Sequence, residues 1–259
     1  MLTAPAANDP PPAYTPAPPL ASAYSPTINV PSAPNVATQA DDPYAFLTTF
    51  DTILLIDDSG SMAGALWNEA RNALATITPL CTAHDADGID VYFLNHATAY
   101  TNITSPNTVH EIFTSVRPGG GTPTGQRLNK ILRQYLRAYE AQPETTKPMN
   151  IICITDGEPS DDVESPLISA AKKLDRLDAP AWQVGVQFFQ VGSDERAQRH
   201  LRMLDDELAE IAGDEEMRDM VDTVPFTKGG AALTGEGILK VVLGAVTRRL
   251  DRRSRELHR

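Results

Sequence analysis

The chain has 259 residues, 41% of them hydrophobic, and a formal net charge of −12. That is enough apolar material for one sizeable core plus a tail. The acidic balance argues against a nucleic-acid or anionic-membrane ligand and leaves a cation open.

Residues 1–45 are rich in Pro, Ala, Ser and Thr, and the first Lys or Arg of the chain is Arg71. Such a segment cannot bury enough surface to offset its chain entropy, so a disordered tail with local polyproline II character is expected. It has no basic stretch followed by an uninterrupted apolar one, so it does not read as a secretory signal. No stretch of the chain is long and apolar enough to span a bilayer. A cytoplasmic location is expected, with the nucleus as an alternative. The two cysteines are too few for a disulfide framework; Cys153 sits in an apolar run and Cys81 near a helix end.

From residue 46 to 259 apolar runs alternate with helical periodicity. Residues 50–57 (FDTILLID) read as a buried parallel strand. Residues 67–80 read as a helix stopped near Pro79. Residues 89–95 (IDVYFLN) form a second strand, and 98–103 a short edge strand. Residues 109–116 make a short helix. Residues 124–139 make a longer one, with Leu128, Ile131, Leu132, Tyr135 and Leu136 on one face. Residues 150–155 are the next buried strand, 163–177 a helix behind acidic cap residues, and 184–191 (VGVQFFQV) another strand. A helix at 197–209, a short strand at 222–226 and a closing helix at 237–257 complete the pattern. This alternation predicts an α/β, doubly wound, mostly parallel sheet with helices on both faces, as in Rossmann-like folds.

Open sheets of this kind bind ligands at the carboxyl ends of their strands. Three polar loops fall at such places: Asp57-Asp58-Ser59-Gly60-Ser61, the glycine-rich run from Gly119 to Gly125, and Thr155-Asp156-Gly157-Glu158. All are rich in oxygen, and none offers Cys or His. Hard cations such as Mg²⁺ want oxygen ligands and keep some of their waters. Asp57 supplies charge, and Ser59 and Ser61, two residues apart, supply hydroxyls on one side. Thr122 adds a third hydroxyl, and Asp156 can hold a coordinating water. Such a set leaves the ion partly unneutralised, with a position open to a carboxylate from another molecule.

Asp57-x-Ser59-x-Ser61, with Thr122 and Thr155-Asp156-Gly157, resembles the metal-ion-dependent adhesion site of von Willebrand factor A domains. The resemblance runs from about residue 46 to 253, and the proline-rich tail is similar in style to intracellular fungal members. It implies a protein-binding module that is not an enzyme. Asp57, Ser59 and Ser61 would be metal ligands, Thr122 a ligand in the engaged state, and Asp156 a direct or water-mediated one. The ion would be Mg²⁺, or Mn²⁺ or Ca²⁺, and the partner a protein supplying a carboxylate.

Plainer readings stand beside these. Asp57 and Ser61 suit helix caps, Thr122 and Thr124 turn and cap positions, and Asp156-Gly157 a turn. Asp58, Glu158, Asp161 and Asp162 read as a solvated acidic rim, and His96 as structural. Pro11-Pro12-Ala13-Tyr14 resembles the PPxY motif that WW domains bind, which would make the protein an adaptor. Arg248, Arg249, Arg252, Arg253, Arg255 and Arg259 give a basic end to an acidic chain. The enzyme alternative is a Mg²⁺-dependent phosphohydrolase of the haloacid dehalogenase type. Its loop needs a second acid where this chain has Ser59. A structural subunit with a vestigial metal site is the third alternative.

Overall fold

The computed structural model describes residues 45–224, all within the second of two units into which the chain divides, Gln39–Arg259. The tail with Pro11, Pro12 and Tyr14, residues 225–226, the stretch 237–257 where a closing helix is expected, and the C-terminal arginines through Arg259 lie outside the described residues.

A short 3-10 turn at Ala45–Thr49 leads into β1 (Asp51–Ile56). The helix α1 (Ala65–His84) follows, then β2 (Ile89–Phe93), β3 (Tyr100–Ile103), α2 (Pro106–Ser115) and α3 (Thr124–Ala141). Next come β4 (Met149–Thr155), α4 (Glu164–Arg176), β5 (Val184–Gln190), α5 (Glu195–Asp206), α6 (Leu208–Ile211) and β6 (Val221–Val224). The sheet order is β3-β2-β1-β4-β5-β6. All neighbours are parallel except β3, which pairs antiparallel with β2 at the edge.

The central strands β4 and β5 are buried along their whole length, as parallel strands covered on both faces must be. Their alternate residues feed two cores. On one face Leu54, Ile56, Ile152 and Ile154 pack with Trp67, Ala70, Leu74 and Ile77 of α1 and Phe113 of α2. On the other, Leu55, Ile151, Cys153 and Phe188 pack with α3 through Leu128 and Leu132, α4 through Leu167, and α5 through Leu201. Helices therefore cover both faces, and the chain is doubly wound.

Two helices differ from the expectation. Helix α1 does not stop at Pro79 but runs through it to His84. Pro79 removes one backbone donor, which ordinarily costs about 3 kcal/mol in a helix interior. Here Pro79 faces outward, while Ile77 before it and Cys81 after it are fully buried. Burying the stripe on both sides of the proline keeps the helix going. Helix α5 begins two residues earlier than its apolar pattern, because the Asp194 carboxylate caps the N–H groups of Arg196 and Ala197. It then breaks at Glu207 before the single turn of α6. Among the described residues no helix is long and apolar enough to cross a membrane.

From β1 the chain winds outward to β2 and β3, then jumps back across to β4 and winds the other way. The order reverses between β1 and β4, so a crevice opens at their carboxyl ends.

Candidate functional site at the β1–β4 crevice

Asp57 directly follows β1, and Asp156 directly follows β4, so both stand at the crevice. Asp57 is fully buried. Its Oδ1 accepts the N–H of Ser59 at 2.8 Å, the side-chain-to-backbone turn that Asp forms two residues on. Its Oδ2 accepts the Thr155 hydroxyl at 2.7 Å. The turn swings residues 59–61 back over Asp57. Ser59 Oγ then lies 3.0 Å from Ser61 Oγ, and Ser61 Oγ donates to Asp156 Oδ1 at 3.1 Å. A chain of oxygens thus joins one carboxylate to the other.

The three loops hold one another. The first two are stitched by Gly119 N–H to Asp58 O at 2.7 Å and Gly60 N–H to Gly120 O at 3.1 Å. The first and third meet through the Asp57–Thr155 and Ser61–Asp156 bonds. The second and third meet at Thr122. Its N–H donates to Ser160 Oγ at 3.2 Å, and its carbonyl accepts the Ser160 N–H at 2.9 Å. Thr122 is largely buried, so its place is set by backbone bonds to a neighbouring loop. Gly120 has φ +87°, and a Cβ there would fall 2.6 Å from Asn95 Oδ1. Gly125 opens α3 so close to the third loop that a Cβ would lie 1.9 Å from the carbonyl oxygen of Asp162.

Of the acidic residues that the sequence suggests as a solvated rim, Asp58 is buried and Asp161, half-exposed, also caps a helix. Asp58 Oδ1 accepts the N–H of Asn95 at 2.7 Å and the Asn95 amide at 3.2 Å. Its Oδ2 accepts the N–H of His96 at 2.9 Å. Asp58 therefore pins the loop after β2, and Asn95 Nδ2 passes the hold on to Gly121 O at 2.9 Å. Asp161 accepts the N–H groups of Gly125 and Gln126 at 2.9 and 2.8 Å and so caps α3 from another loop. His96 is structural as expected: its ring stacks on Tyr100 and lies 3.2 Å from that hydroxyl. Thr155, Asn95 and Ser160 were not among the expected site residues. Of these only Thr155 had a sequence signal, its place in the Thr-Asp-Gly triplet.

Burial pushes the Asp57 carboxyl above its ordinary pKa; the bonds from Ser59 and Thr155 oppose this, and the charge of Asp58 adds to it. Burial likewise raises Asp156, and the charge of Asp57 raises it further. Two carboxylates that would both ionise more easily beside a positive charge, with hydroxyl oxygens between them, fit a hard cation. Asp57, Ser59, Ser61, Thr122 and Asp156 are the residues that could hold one.

A doubly wound sheet with an oxygen-lined crevice at its switch point defines the class of protein. The family follows from the sequence: the model of the von Willebrand factor type A domain matches residues 51–217, and the chain belongs to that family. Among solved structures, the chain is similar to proximal thread matrix protein 1 from the mussel byssus. The identity is 18%, the TM-score 0.44, and the match covers 76% of this chain and 48% of that one. A search of the curated proteins gives no match.

Proposed function

We propose that this domain holds one hydrated divalent cation, Mg²⁺ by preference, as a metal-ion-dependent adhesion site, and uses it to bind a carboxylate of a partner protein. Asp57, Ser59, Ser61, Thr122 and Asp156 are its ligands, direct or through water. The observation that supports this is the oxygen chain Asp57–Thr155 and Ser59–Ser61–Asp156, which gathers two buried carboxylates and three hydroxyls at one crevice. With two carboxylates the protein leaves the ion electrophilic, and an incoming carboxylate completes its shell. The site binds and does not turn over a substrate, because Ser59 stands where a phosphohydrolase of similar loop would need its general acid. The protein works in the cytoplasm or nucleus, with free, buried cysteines. In this reading Pro11, Pro12 and Tyr14 recruit a WW-domain protein, which makes the chain an adaptor.

The test is calorimetric titration of Mg²⁺ into the wild-type chain and Asp57→Asn. It is followed by partner capture with Mg²⁺ or with chelator. One equivalent of Mg²⁺ bound by wild type and lost in Asp57→Asn is expected, with capture that needs both the metal and Asp57. Mg²⁺ binding that survives Asp57→Asn, or capture indifferent to chelator, would overturn the reading.

A further inference from the structure

The opposite end of β1 carries a second acidic group. Asp51 begins the strand, while Asp85 and Asp87 lie just beyond the end of α1. Each offers one carboxylate oxygen, and these all lie within 4.8 Å of one another. Three carboxylates from two separate stretches of chain make an irregular set, which Ca²⁺ accepts through its flexible coordination and Mg²⁺, which demands near-ideal octahedral geometry, does not.

Close packing of acids is common without a ligand, but Asp85 adds something different. It is only 2% exposed. One of its oxygens, Oδ2, accepts the N–H of Thr52 at 2.9 Å. The other, Oδ1, is buried with no hydrogen-bond partner. A buried carboxylate oxygen left without a donor is costly unless something positive meets it. Burial first, then the Asp87 carboxyl through hydrogen bonding and charge, and last the charge of Asp51, push this carboxyl up to about 6, while the Thr52 N–H opposes them.

Lys147 is the resident cation. Its ammonium contacts Asp87 and lies 3.5 Å from Asp51 Oδ1. It serves the two outer carboxylates and leaves Asp85 Oδ1 unserved. An ion that takes six to eight oxygens serves all three. Asp51 and Asp87, with Asp90 and Tyr92, also line a cavity of about 270 Å³. That leaves room for the ion's remaining waters at roughly 30 Å³ each.

We propose that Asp51, Asp85 and Asp87 form a second site, for a calcium-sized divalent cation, which Lys147 fills when the ion is absent. It lies at the far end of β1 from Asp57 and does not depend on the reading of that crevice.

The experiment is calorimetric titration of CaCl₂ into four full-length proteins: Asp57→Asn alone, and the same variant with Asp85→Asn, Asp87→Asn or Lys147→Gln added. Asp57→Asn should keep one equivalent of Ca²⁺. Asp85→Asn and the exposed Asp87→Asn should each weaken that binding at least tenfold. The second is the variant least able to disturb folding. Lys147→Gln removes the competing ammonium and should strengthen binding, roughly fivefold for one half-exposed charge. Asp57→Asn that binds no Ca²⁺ overturns the proposal, as does binding that both acid variants leave intact. Wild-type Mg²⁺ binding lost in Asp57→Asn would then still support the crevice, so the two readings fail separately.

Discussion

Replacing Asp57 by Asn separates the two things this carboxylate does. In the folded chain it is fully buried and accepts from Ser59 N–H and the Thr155 hydroxyl. An asparagine keeps the shape. Its Oδ1 still accepts from Ser59, and its amide donates to the Thr155 oxygen, since a hydroxyl reverses its role freely. What goes is the charge, which burial disfavours. The metal-free variant should therefore melt at or slightly above the wild-type temperature. Alanine would be a poorer probe. It leaves two groups unpaired at about 1–3 kcal/mol each, and any loss of metal binding would be confused with loss of fold. With Mg²⁺ at a hundred times its Kd, wild type should gain about 2.7 kcal/mol, or roughly 5–11 °C in Tm for a domain of this size. Asp57→Asn should show none of that gain. The measurement is a thermal melt of both proteins in chelator and in Mg²⁺. A metal-free Asp57→Asn that melts several degrees below wild type would refute the argument from burial. A Mg²⁺ gain that survives the substitution would refute the assignment of the ligand.

Asp58→Asn should behave in the opposite way. Both of its oxygens accept backbone N–H groups, so an amide would face a donor with a donor. A loss of about 1–3 kcal/mol in denaturant unfolding is expected, with Mg²⁺ binding retained. Gly125→Ala has no room, with Asp162 O at 1.9 Å from the new Cβ; a loss of about 3 kcal/mol or more is expected from urea unfolding. Mg²⁺ affinity should rise with pH. The Asp57 and Asp156 carboxyls both titrate above their ordinary value, so protons compete with the ion until the pH passes those raised pKa values. Titrations at pH 5 and pH 7.5 measure this, and equal affinities at the two would contradict it.

The strands were legible because a strand covered on both faces spells a continuous apolar run, as in FDTILLID and MNIICIT. Their order was implied by alternation with helices. Pro79 misled because its local effect on the backbone is visible in sequence, while the burial of Ile77 and Cys81 that opposes it is not. Asp58 and Asp161 misled for a related reason. A carboxylate solvated by water and one held by N–H groups 37 residues away share one local spelling. Asp51, Asp85 and Asp87 gave no signal, because only the parallel pairing of β1 with β2 and the bond from Thr52 N–H to Asp85 bring them together.

The bond from Thr155 to Asp57 spans 98 residues of sequence. Loop closure over that length comes late in folding, after the local helices and the β1–β2 pair. On the ribosome Asp57 waits for the whole of β4 to emerge before its turn has anything to close against. The crevice thus waits on β4, with β5 and β6 still to follow. If the crevice holds a cation as proposed, a chain cut short before β4 carries only half of the ligands and should bind none.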